Sequence, residues 1–295
     1  MFQNLIINYN QKYINKLLEN KNKYPMPNKK IILEDKNKLL LYLIYSSLNF
    51  KFWIDKNNYW SDKNHSGATR LFKILDTILE KENNYLDFFD KLTYDDFSRY
   101  ISSKNSSKLP YLKIRYNYIK EIVELVKNNF NSNVENLISS QDYDALKIVH
   151  YLSDNTIAFS DSVEFNEKKL YLAKKATFFI KLLMQTKNYN GYLKNVDKLQ
   201  VLADYRIPQL LRYFGILKYS KVLAKKVDNQ EILTEKDEKE IRVATVIFSK
   251  SLINNNKINL TILELDEYLW KKAKELEKEN PRDLKPFHLT ESTKY

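Results

Sequence analysis

Residues 200–220 read QVLADYRIPQLLRYFGILKYS and set an Asp-Tyr-Arg triplet inside an apolar run. Val201, Leu202, Ile207, Leu210, Leu211, Phe214, Ile216 and Leu217 are core residues by type, and much of the run has helical spacing. Pro208 suits the first turn of a helix and not its interior, so the helix should open close to Asp204. Asp204 and Arg206 carry charges that are costly to bury without a partner. One reading makes Asp204 the cap of that helix, a position Asp fills well. The other makes it a carboxylate held among apolar and aromatic residues, where it can stabilise a cationic transition state.

Outward from this stretch the pattern stays helical. Leu39 to Leu48 is apolar on every side, and Leu71, Ile74, Leu75, Ile78 and Leu79 share one face of an amphipathic segment. Thr93 with Asp96, and Thr234 with Asp237, have the spacing of capping boxes. A further helix follows Pro110 through Ile114, Tyr118, Ile122 and Leu125, and another spans Gln141 to Leu152. Asn166 is placed to cap a helix from Glu167 to about Gln185, ended by the polar patch TKNYNGY. Glu238 and Arg242 stand four apart and can pair. The segment ILELDEYLWKKAKELEKE is the last helix, SSKNSSKLP at 102–110 the clearest loop, and NPRDLKPFHLTESTKY an irregular tail. The fold class predicted is all-α, with residues 1–295 as a single catalytic unit, in one body or in two helical lobes around a cleft.

Composition narrows the functions. Three glycines in 295 residues argue against a protein of many tight hairpins. The net charge of +12 raises nucleic acid as a partner. Only seven of the 49 basic residues are Arg, however, and the lysines are spread along the chain, whereas base-reading surfaces lean on Arg forks. Without Cys there are no disulfides, thiolate metal sites or thiol nucleophiles, and His65, His150 and His288 lack metal-ligand spacing. Neither a metal nor a cofactor is expected. The N-terminal MFQNLIINYNQKYINK is too polar for a signal peptide. The most apolar run, LLLYLIYSSLNFKFWI, is broken by Ser, Asn and Lys short of the roughly 20 residues of a membrane span. A soluble cytoplasmic protein is the expectation.

Three further groups can carry chemistry. Within LYLAKKATFF, one of Lys174 and Lys175 should point inward beside Leu170, Ala173, Thr177 and Ile180, and an inward lysine is a natural phosphate partner, although solvated lysines are commoner. Phe50, Phe52, Trp53, Tyr59 and Trp60 cluster within thirteen residues, 48–60. Core packing explains most such clusters, and a stacking platform for a planar base is the alternative. Asp266 and Glu267, beside Tyr268 and Trp270, are either solvated helix residues or acceptors for a guanine-like N–H edge.

Taken in series, these pieces resemble the queuosine salvage proteins, which are queuosine 5′-phosphate N-glycosylases releasing the base queuine. The resemblance rests on LNFKFW at 48–53, HSG at 65–67, FSD at 159–161, KKA at 174–176 and ADYRIPQLL with GILKYS within 203–220. It continues through EIR at 240–242, EYLW at 267–270 and PFH at 286–288, and so covers nearly everything after about residue 45. It implies a helical fold akin to the helix-hairpin-helix DNA glycosylases, acting on free queuosine 5′-monophosphate, with no direct tRNA or DNA contact. By the same resemblance, Asp204 is the catalytic carboxylate and Lys174 the active-site lysine. Phe50, Phe52, Trp53, His65, Asp161, Tyr205, Arg206, Gln209, Asp266, Trp270 and His288 are then the substrate-binding set.

The sequence departs from the family pattern in places. Leu289 and Glu291 stand where the family tail carries arginines, and Ser160 where Arg often precedes the Asp. A DNA-repair glycosylase of related fold is one alternative, although three scattered glycines leave no Gly-rich hairpin to grip DNA. A non-catalytic nucleotide-binding helical protein is another.

Overall fold

The computed structural model describes residues 2–19, 36–53, 58–102, 108–186, 189–254, 258–279 and 283–295. Outside them lie parts of five expected segments: Met1 of the N-terminal stretch, 54–57 of the aromatic stretch, 103–107 of the loop, 187–188 of the polar patch and 280–282 of the tail.

Helix α2 (Lys36–Ser47) runs through the centre. Leu39 to Ile44 are all within 5% of full burial, so this helix has no polar face. Around it pack α3 (Gly67–Leu79), α4 (Tyr85–Lys91), α6 (Leu112–Asn129), α7 (Val134–Ser140) and α9 (Lys174–Leu183). Helix α5 (Tyr94–Ile101) opens on the Thr93 capping box, with Asp96 N donating to Thr93 Oγ1 at 3.1 Å. Helix α8 (Ala145–Asn155) rests on α9. The C-terminal half adds α10 (Arg206–Tyr213), α11 (Lys221–Asp228), α12 (Glu235–Asn254) and α13 (Ile262–Glu279). The second capping box opens α12, where Asp237 N meets Thr234 Oγ1 at 3.2 Å and Glu235, Asp237 and Glu238 complement the helix dipole. One continuous apolar core runs from Leu5 to Ala273, and no described helix is long and apolar enough to cross a membrane.

The all-α reading holds in the main, with two small exceptions. Near the N-terminus, β1 (Leu5–Ile7) precedes α1 (Gln11–Leu18) and pairs antiparallel with β4 (Leu217–Tyr219). The helix expected from Glu167 to Gln185 is shorter, because β2 (Ser162–Phe165) and β3 (Lys168–Tyr171) form a hairpin there. Asn166 and Glu167 both take positive φ, 50° and 60°, so Asn166 makes a two-residue turn instead of a helix cap. The alternation around that turn decides the strands: Val163 faces in and Glu164 out. Ala173, at φ 42°, then separates hairpin from helix, and α9 begins at Lys174. That boundary matters, for it sets Lys174 at a helix start and not mid-helix.

Candidate active site

The segment before Asp204 turns tightly, with Ala203 N donating to Val201 O at 2.9 Å and Asp204 N to Leu202 O at 2.6 Å, and it is held from two sides. Leu202 N donates to Asp266 Oδ1 at 2.7 Å, from α13, and Arg242 Nε on α12 donates to the Ala203 carbonyl at 2.8 Å. Asp204 Oδ1 then accepts from Arg206 N at 2.7 Å and Ile207 N at 3.4 Å, the opening amides of α10. Pro208 lies in that first turn. Both readings of Asp204 therefore meet in one residue: the carboxylate caps α10, and it also lines a cavity of about 210 Å³. Asp204 is half-buried. Burial pushes its carboxyl above the usual carboxylate value, while Lys174 and the Arg206 amide pull the other way.

Lys174 enters the same cavity from the start of α9. Its ammonium donates to Asn49 O at 2.8 Å and Asn49 Oδ1 at 3.1 Å. Burial pulls it down to about 8, with the negative charge of Asp204 the largest opposing influence. Lys175 is buried as well, against the expectation of one inward lysine. It points elsewhere, donating to Thr293 O at 2.8 Å between the rings of Phe50 and Tyr118. At the first residue of a helix, successive side chains can both find protein cover.

Asp161 and Arg242 fix Asp204 and Lys174 relative to each other. Their bidentate pair, at 2.8 and 2.6 Å, is almost completely buried. Asp161 Oδ2 also accepts Lys174 N at 3.1 Å, while Arg242 holds the carbonyl preceding Asp204. One ion pair thus orients both ends of the cavity. Glu238 reaches Arg242 at 3.7 Å, as its spacing predicted.

Aromatic rings form the walls. Phe50, Phe52, Tyr59, Tyr205 and Tyr295 line the cavity, and Trp270 stands at its lip, 43% exposed. The Arg115 guanidinium stacks 3.9 Å from the Phe50 ring and donates to the backbone carbonyls of Leu48, Phe50 and Lys51, locking that segment. At Gly67 φ is +51°, and a Cβ there would lie 2.6 Å from Tyr59 Oη, so the wall needs glycine at that point.

Of the substrate-binding set, Phe50, Phe52, Tyr205 and Trp270 line this cavity; the others stand behind it or apart. Trp53 packs with Tyr205, Phe287, Leu289 and Tyr295. Asp266 turns its second oxygen to Lys181 at 2.8 Å, so both oxygens serve the protein. Gln209 donates to Lys285 O at 2.7 Å, and Arg206 to Glu277 at 2.6 Å without touching the Asp204 carboxylate through its side chain. His288 contacts Tyr295 Oη at 2.8 Å, and burial holds its imidazole down to about 3, hence neutral. His65 is half-exposed, 3.8 Å from Asp62, in the turn that precedes Gly67. The tail carries Leu289 into the Trp53 cluster and Glu291 to Lys51 at 2.7 Å, which is how this chain uses two positions expected to hold arginine.

Sequence reasoning gives no site role to Asn49, Arg115, Arg242 or Tyr295. Arg242 had a signal, since it closes the Glu-Ile-Arg motif on the inner side of α12, and Asn49 sits within LNFKFW. The carbonyls that hold Arg115 and the path of Tyr295 into the wall have no local signature.

The queuosine salvage protein family profile matches residues 31–295. A Bos taurus protein named queuosine 5′-phosphate N-glycosylase/hydrolase is 25% identical, covering 85% of this chain and 80% of its own length. Similarly named proteins from Dictyostelium discoideum and Sphaerobacter thermophilus are 27% and 22% identical, covering 77% and 86% of this chain and 70% and 80% of their own.

Proposed function

The chain belongs to the queuosine salvage protein family, and from that premise we propose that it hydrolyses the N-glycosidic bond of queuosine 5′-monophosphate to release queuine for salvage. The observation that carries this reading is Asp204: a fixed, half-buried carboxylate in an aromatic-walled cavity that also holds Lys174.

As the bond from ribose C1′ to the base nitrogen stretches, its electron pair leaves with the base and positive charge grows on the ribose ring. The Asp204 carboxylate faces that charge and takes a proton from the attacking water, whose oxygen bonds to C1′. The departing base nitrogen takes up a proton from solvent, and Asp204 gives its own back to solvent. The products are queuine and ribose 5-phosphate. A 7-deazaguanine base has carbon where purines have N7 and cannot be protonated there to ease its departure, so more of the barrier falls on Asp204. Lys174, a compact cation beside Asn49, suits the ribose hydroxyls or the 5′-phosphate. Phe50, Phe52 and Tyr205 enclose the base, with Trp270 at the entrance. Trp53, His65, Asp161, Arg206, Gln209, Asp266 and His288 act through the groups they hold in place.

The same reading treats residues 1–295 as one catalytic unit, akin in fold to the helix-hairpin-helix DNA glycosylases, working in the cytoplasm on a free nucleotide without direct tRNA or DNA binding. The continuous core supports the single unit. Incubation with queuosine 5′-monophosphate followed by chromatography tests the reaction. Free queuine is expected, and its absence under saturating substrate rejects the proposal.

A further inference from the structure

Asn49 lines the Asp204 cavity and is only 6% exposed. Its side-chain oxygen accepts from Lys174 Nζ at 3.1 Å. An ammonium can only donate, so the oxygen must face Lys174 and the amide has a single orientation. Nδ2 is left with no hydrogen-bond partner among the described residues, and it is not one of their partnerless polar atoms sealed from solvent. A free donor on a nine-tenths buried side chain therefore opens on the cavity.

The backbone around this donor is fixed. Asn49 N donates to Ser46 O at 3.2 Å, Asn49 O accepts Lys174 Nζ at 2.8 Å, and Arg115 holds the carbonyls of Leu48 and Phe50 on either side. A donor so held needs no reorganisation when a ligand arrives. The Lys174 charge on Oδ1 also polarises the amide and strengthens its N–H as a donor.

A free donor calls for an acceptor on the ligand. A phosphate dianion at this depth would need an unspent cation, but Lys174 gives two N–H bonds to Asn49 and Lys51 pairs with Glu291 at 2.7 Å. Phe50 and Phe52, on the same locked segment, line the cavity with rings, which suits a planar heterocycle. In the proposed reaction a 7-deazaguanine base leaves with the electron pair of the glycosidic bond, and its ring acceptors O6 and N3 share the growing negative charge. Resting on that reaction, we propose that Asn49 is a further catalytic residue, whose Nδ2 donates to a ring acceptor of the base and binds it more strongly as the base departs. The donor keeps its hydrogen throughout.

Asn49→Asp tests this, because aspartate keeps the acceptor that Lys174 uses and removes the donor. Its kcat for queuine release from queuosine 5′-monophosphate should fall at least about tenfold, whereas a residue that merely positions Lys174 would tolerate the change. Asn49→Leu, uncharged and of similar shape, should bind free queuine at least about fivefold more weakly by calorimetry, with ribose 5-phosphate affinity within about twofold of wild type. A kcat for Asn49→Asp within about threefold of wild type overturns the proposal. So does unchanged queuine affinity in Asn49→Leu, which would put the donor on the sugar phosphate. A wild type that releases no queuine sinks the reaction and this role together; an active wild type with an active Asn49→Asp sinks this role alone.

Discussion

If the proposed function holds, Asp204→Asn separates catalysis from folding at one residue. A carboxylate about 4 Å from a full positive charge contributes about 4 kcal/mol at an effective dielectric near 20. With half of that charge developed, the contribution is about 2 kcal/mol, so the range corresponds to about 30- to 1,000-fold in rate. Losing the proton acceptor adds to it, and the expected fall in kcat is at least about 10²-fold. Stability should move the other way. Asparagine is as good a cap as aspartate and keeps an oxygen for the Arg206 amide, now at 2.7 Å. Because burial raises the carboxyl of Asp204 in the folded protein, its ionised form lowers stability at neutral pH, and the amide removes that penalty. Tm should therefore be unchanged or higher in the variant. Any advantage should shrink as pH falls from the raised value and vanish below the ordinary one, where the wild-type carboxyl is neutral in both states. Queuine release by chromatography and a thermal melt make the pair of measurements. Release within tenfold of wild type, or a Tm lowered by more than about 5 °C, would refute the reasoning.

Three other outcomes follow from the same geometry. The pH profile of kcat/KM should rise through an acid limb above the usual carboxylate value, as Asp204 ionises, and fall near pH 8 as Lys174 loses its proton; a rate that stays flat beyond pH 10 would show that the lysine charge is not needed. Asp161→Asn removes the bidentate partner of the buried Arg242, leaving only the Glu238 carboxylate 3.7 Å away, and should cost about 3 kcal/mol by urea unfolding, whereas a loss below about 1 kcal/mol would remove the ion pair from its organising role. Trp270→Ala, at a lip position 43% exposed, should raise KM with kcat and Tm little changed, and a matching fall in kcat would place the ring deeper in the chemistry.

Much of the helical frame was legible because its signals are local. A capping box needs four residues and a buried helix needs a dozen, and both stretches of the chain carry them without ambiguity. The hairpin at 162–171 was hidden for the opposite reason. Its turn uses Asn166 and Glu167 in place of glycine, so glycine scarcity, which rightly argues against a protein of many hairpins, gives no sign of this one, and the helix starts seven residues later than expected. The cavity was partly legible. Aromatic types in LNFKFW and the Asp within ADYRIP are odd enough to mark themselves. Which of the marked residues touch the cavity is a long-range fact: Asp161 and Arg242 are separated by 81 positions, and Asp266 reaches back 64 to Leu202.

That separation explains why so many motif residues stand behind the cavity and not in it. A carboxylate that must remain ionised while partly buried needs its backbone held in place, since any drift towards solvent lowers both its cost and its use. Here the peptide at 202–203 is gripped by two charged groups from different helices, Asp266 and Arg242, and each is in turn neutralised by a partner, the half-buried Lys181 or the buried Asp161. Asp161 extends the grip to Lys174, so the opposed charges of the cavity hang from one connected network. Such a network costs stability if any member is lost, and under the proposed function it keeps Asp204 aimed at the place where positive charge develops as the glycosidic bond breaks.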